Sequence, residues 1–260
     1  MTQPDWTYVK KTTLWPYEDL LQKLDVVLRY PVLRQVYNHS MPQAADFARR
    51  LFPDKELEAG ESPAEMIAAF ERLHTAGIRD WADLLVKVAT REQCEAFVAG
   101  GALDFEHLIQ VLNYLLRWGF PFYTATRELC DPENRQEMDA YITLKQQKLM
   151  CSFDLLEQGR TAEMRHELAQ QTGLSLDFVS ALVQRADLAR LPYVRRKTIL
   201  PLCGAGYDTL ARIAAAELGQ MEADMEAYFR ARGKDWADYK SVIVLRLMVA
   251  WARALPSIII

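Results

Sequence analysis

Helix starts and stops are written into this chain repeatedly, and no stretch alternates convincingly between apolar and polar residues with the period of two that a half-buried strand needs. Ser62-Pro63-Ala64-Glu65 sets a capping serine, a proline at the first helical position and a glutamate three residues after the cap, ahead of Met66, Ile67, Phe70 and Leu73 at helical spacing. Thr90-x-x-Gln93, Asp104 before FEHLIQVLNYLLRW and Asp208 before TLARIAAAEL open further helices, and Ala76-Gly77 and Ala205-Gly206 read as left-handed helix stops. These signals predict an all-α fold with no sheet.

The helices are organised by an internal repeat. EQCEAFVAGGALDFEHLIQVLNYLLRWGFPFY from Glu92 aligns without a gap with EMRHELAQQTGLSLDFVSALVQRADLARLPYV from Glu163. Leu103 then meets Leu174 and Pro121 meets Pro192, with apolar pairs at Phe97 and Leu168, Leu108 and Val179, and Val111 and Leu182. Two amphipathic helices align by chance in part, but the proline after the long helix falls in register as well. The stretch between the copies opens with Asp131-Pro132 and reads as one connecting helix. Residues 1–60 differ in texture, with Trp6, Tyr8, Trp15, Tyr17, Tyr30 and Tyr37 punctuated by Pro16, Pro31 and Pro42. The expected layout is an N-terminal aromatic arm packed on the body (1–60), a degenerate repeat (61–130), a connecting helix (131–160), a second repeat (161–232), and a C-terminal helix with an apolar tail (233–260).

The second copy carries a family resemblance. Thr172-Gly173-Leu174, Ala186-Asp187-Leu188 with Arg190, and Ala205-Gly206 with Asp208-Thr209 stand in the order seen in a bacterial helix-hairpin-helix derivative, the domain of unknown function 4332. About Thr161 to Tyr228 resembles that family, and the first copy reads as a decayed version in which TAGIRDWADLL (Thr75 to Leu85) is another unit of the same kind. The resemblance implies tandem helix-hairpin-helix-like units.

In helix-hairpin-helix modules that bind nucleic acid, Gly-x-Gly follows the proline so that backbone N–H groups come close to a phosphate. Here Tyr193-Val194-Arg195 occupies that place, which closes the backbone route. Arg185, Arg190, Arg195, Arg196 and Lys197 nevertheless gather at the hairpin, opposed locally by Asp187, and side chains alone can bind phosphate. The competing expectation is that these cations pair with acids of neighbouring helices.

Composition narrows the alternatives. The chain has 260 residues, half of them apolar, and 31 Lys and Arg against 35 Asp and Glu, a net charge of −4. Nothing global draws such a molecule to nucleic acid or an anionic membrane, so any such contact is local. The four cysteines form no C-x-x-C pair and MTQPDWTYVKK is no signal peptide, which predicts a reduced, cytoplasmic protein. SVIVLRLMVAWARALPSIII is interrupted by Arg246, Arg253 and Pro256, so no membrane span is expected. His39, His74, His107 and His166 show no metal-ligand spacing, and no phosphate-binding glycine loop is present. No catalytic, cofactor or metal residue is assigned.

The C-terminus is the other unusual stretch. Val242, Val244, Leu245, Met248, Val249 and Trp251 precede Pro256-Ser257-Ile258-Ile259-Ile260, and isoleucines left in water forgo about 1.5–3 kcal/mol each. The tail is expected to dock, either in the protein's own groove, with the arm of residues 6–37 as one possible surface, or on a second copy or another protein. In the latter case Trp251, Ile258, Ile259 and Ile260 are partner-binding residues. The sequence thus points to a non-catalytic interaction or scaffold protein, with homodimer or protein partner open. A nucleic-acid-binding protein using the hairpin from Arg185 to Lys197 is the alternative, and an enzyme with an unidentified site the remaining one.

Overall fold

The computed structural model describes residues 4–51, 63–192, 194, 196–240 and 245–260, without the side chains of Arg196 and Lys240. Its described secondary structure is helical throughout, apart from two isolated β-bridges. The chain divides into two compact units, Met1–Pro121 and Phe122–Ile260.

In the first unit, residues 6–51 form four helices: α1 (Trp6–Thr13), α2 (Tyr17–Arg29), α3 (Pro31–Tyr37) and α4 (Met41–Leu51). Of the aromatic residues expected of an arm, Tyr17 and Tyr37 are buried in the core, whereas Trp15 is exposed. Trp6 meets Tyr17 and Phe105 edge-on at 4.9 and 5.1 Å, and the buried Tyr17 hydroxyl donates to the Val88 carbonyl at 2.6 Å. Four more helices follow: α5 (Pro63–Thr75), α6 (Trp81–Lys87), α7 (Arg91–Ala99) and α8 (Phe105–Tyr114). Phe70 of α5 packs between Trp81 and Tyr114 and has no exposed surface. The helix expected to run on to Trp118 leaves α geometry at Leu115. The turn Leu115–Gly119 is π-helical, and the Phe120 N–H bonds five residues back to the Leu115 carbonyl.

The second unit comprises α9 (Thr126–Leu129), α10 (Arg135–Gln146), α11 (Ser152–Gly159), α12 (Ala162–Thr172), α13 (Leu176–Leu188), α14 (Arg196–Gly204), α15 (Leu210–Ala215), α16 (Leu218–Arg230), α17 (Ala237–Lys240) and α18 (Leu245–Ala254). The single connecting helix expected over 131–160 is instead two, α10 and α11, because Lys148 adopts a left-handed conformation at φ 62° and turns the chain. Gly159 then brings α11 against α13, since a Cβ there would stand 2.6 Å from Val183 Cγ2. Thr209 rather than Asp208 caps α15, which ends at Ala215. The capping role expected of Ser62 lies outside the described residues, as do Val242 and Val244.

Helix starts repeat at the shift that aligns Glu92 with Glu163: α6, α7 and α8 begin at Trp81, Arg91 and Phe105, and α11, α12 and α13 at Ser152, Ala162 and Leu176. The turn ahead of α6 repeats as well. The Gly77 N–H bonds to His74 O and Ile78 N–H to Leu73 O, and the Lys148 N–H bonds to Lys145 O and Leu149 N–H to Leu144 O. This is the Schellman pattern, which satisfies the last carbonyls of a helix and packs the following apolar residue onto it. A third instance precedes α15, where Gly206 N–H bonds to Cys203 O and Tyr207 N–H to Leu202 O.

Candidate interaction site

The last turn of α13 and the segment after it hold the hairpin. Leu188, Ala189, Leu191 and Val194 bury their side chains, so this segment is anchored inward by apolar residues. Its first two cations also point inward. Arg185 donates from Nη1 to Glu137 Oε2 at 2.6 Å and from Nη2 to Oε1 at 3.1 Å, and Nη1 reaches the Leu129 carbonyl at 2.9 Å. The pair is largely out of water and ties α10 and the end of α9 to α13. Cys130 and Cys203 are neighbours of this guanidinium, yet burial pushes both thiols up to about 11 and keeps them protonated at neutral pH.

Arg190 is deeper still. Its Nε donates to Asp187 Oδ1 at 2.7 Å, its Nη2 lies 2.6 Å from the same oxygen, and Nη2 also donates to the Pro256 carbonyl at 3.0 Å. Its side chain has no exposed surface. Burial pushes the Asp187 carboxyl above the usual carboxylate range, and the guanidinium beside it pulls the other way. The Ala-Asp-Leu-x-Arg motif thus builds an ion pair that caps a packing joint. Arg195 and the side chain of Arg196 lie outside the described residues, as does Tyr193; Lys197 is exposed in the first turn of α14. The five cations are therefore not one face, because Arg185 and Arg190 are turned into the unit.

The C-terminal segment runs as a strap over the same region. Trp251 and Ile258 are buried, Ile259 is half-buried, and Ile260 is 77% exposed. The strap is held by the Arg190 to Pro256 bond, by the Ile260 N–H donating to the Arg160 carbonyl at 2.9 Å, and by Arg253 Nε donating to Ala214 O at 2.8 Å. These partners all belong to the second unit, and α18 packs on α15 and α16. Glu137 and the Pro256 carbonyl were not legible as partners, because each lies far along the chain from the arginine it meets. The i,i+3 spacing of Asp187 and Arg190 is a local signal that does mark their pairing.

Among the described residues, no group of three or more His, Cys, Asp or Glu side chains is placed to hold a metal ion, and no helix is long and apolar enough to cross a membrane. No curated protein and no solved structure matches the chain. Residues 139–242, from within α10 to just beyond α17, match the model of a family described as Domain of unknown function (DUF4332).

Proposed function

We propose that this chain is a non-catalytic interaction or scaffold protein, in which the repeated helix–turn–helix elements are helix-hairpin-helix-like units used for packing. The observation that supports this most is the fate of Arg185 and Arg190. A hairpin that bound phosphate would present its guanidinium groups to solvent, and these two are spent on Glu137, Asp187 and the Pro256 carbonyl. A reducing, cytoplasmic setting fits four free cysteines, three of them, Cys94, Cys130 and Cys203, with thiols raised by burial.

The second reading, sequence-nonspecific nucleic-acid binding, is favoured by the exposed Lys197 beside Arg195 and Arg196. Duplex DNA titrations at physiological salt, on the wild type and on Arg195→Ala/Arg196→Ala/Lys197→Ala, separate the two. The packing role expects weak or no binding and an unchanged fold in the variant. Submicromolar binding that weakens steeply with salt and disappears in the variant establishes the nucleic-acid role instead.

A further inference from the structure

Beside the strap lies a pocket of about 340 Å³, at the small end of the range for ligand sites. Leu210, Ala252, Leu255 and Ile259 give it apolar walls. Most of its polar groups are committed elsewhere. Thr209 Oγ1 accepts the Arg212 N–H as the cap of α15, and Ser257 Oγ donates to Ile259 O. Asp187 differs. Its side chain is nine-tenths buried and lines the pocket, and both Arg190 contacts fall on Oδ1. Among the described residues Oδ2 accepts no hydrogen bond, which leaves it as an open acceptor. Gln184 adds a carboxamide on the same wall.

We propose that this pocket binds an uncharged, ring-sized apolar molecule carrying an N–H or O–H donor, which bonds to Asp187 Oδ2. The charge requirement follows from the pair: Arg190 already balances Asp187, so a cation would give up its hydration without meeting net charge, and an anion would face Oδ2. The apolar body is selected by the walls and the donor by the open acceptor. This inference is independent of whether the hairpin binds nucleic acid.

Indole and N-methylindole test it, because they share a ring and differ in the single donor. Titrated into the full chain and followed by protein amide shifts, indole is expected to bind saturably and to move the amides of Ala211, Ser257 and Ile259. N-methylindole is expected to bind about tenfold more weakly or worse, the usual consequence of removing a hydrogen bond to a charged group. Ala211→Phe, at an exposed position on the pocket wall, should abolish indole binding. Equal affinity for the two probes overturns the proposal, as does the absence of shifts at these amides up to low-millimolar indole. The probe pair decides the matter on the wild-type protein alone, whether or not the variant folds.

Discussion

Arg190 Nε donates to Asp187 Oδ1 at 2.7 Å, one turn back along the chain, and the same guanidinium holds the Pro256 carbonyl of the strap. Removing the cation leaves a buried carboxylate without its counter-charge, so Arg190→Met is expected to destabilise the second unit by about 3–5 kcal/mol. Replacing both members with apolar residues, in Asp187→Leu/Arg190→Met, should recover much of that loss. Urea denaturation measures both. Hydrogen exchange at Ile260, whose N–H bonds to Arg160 O, should quicken in the single variant as the strap loosens. An unaltered denaturation midpoint in Arg190→Met would show that the pair contributes nothing to holding the unit.

The tail gives a graded series. Ile258 is 5% exposed and Ile260 77%, so truncating the first leaves a cavity and truncating the second leaves almost nothing. Ile258→Ala is expected to cost about 2–5 kcal/mol and Ile260→Ala less than about 0.5 kcal/mol. Deleting residues 256–260 should lower the thermal midpoint with the mass in solution unchanged. A preserved midpoint accompanied by loss of a dimer or of a co-purifying protein would assign the tail to a partner instead.

The Schellman turns at Gly77, Lys148 and Gly206 offer a test at the backbone. Gly77 and Gly206 occupy the left-handed position at φ 82° and 94°, where glycine is unstrained, but Lys148 occupies it at φ 62° and carries a Cβ penalty. Lys148→Gly is expected to stabilise the second unit by roughly 0.5–1 kcal/mol, as relief of strain outweighs the extra freedom gained by the unfolded chain. A lower urea midpoint in this variant would mean that the turn depends on the lysine side chain.

That turn also explains what could be read in advance. Local signals carried the helices: Thr90 and Gln93 make both bonds of a capping box, Asp104 caps α8, and Gly77 and Gly206 stop α5 and α14. The repeat was visible from Glu92 and Glu163 onward because its apolar positions and its proline stay in register. Its earlier half was hidden. The turn ahead of α11 has Lys148 where the turn ahead of α6 has Gly77, so residues 131–160 read as one helix, although the hydrogen bonds at Lys148 and Leu149 match those at Gly77 and Ile78. The site was legible only as charge. Whether Arg185 faces water or an acid depends on Glu137, 48 residues away, and only tertiary packing brings the two together.

His39, between α3 and α4, carries a pH dependence in the first unit. Its ring lies 5.1 Å from Phe47, and loss of hydration there, reinforced by the nearby Arg50 cation, holds its pKa below the ordinary 6.5 against an opposing hydrogen bond to the Val36 backbone. With the folded pKa depressed, the unfolded chain takes up the proton first as the pH falls. The contribution of a neutral His39 is therefore complete above about pH 6.5 and is lost progressively as the pH drops through the folded pKa. His39→Gln keeps a polar side chain that does not titrate, so its urea midpoints at pH 7.5, 6.0 and 5.0 should decline less than those of the wild type. Parallel declines in the two proteins would show that protonation of this ring has no share in the acid sensitivity of the unit.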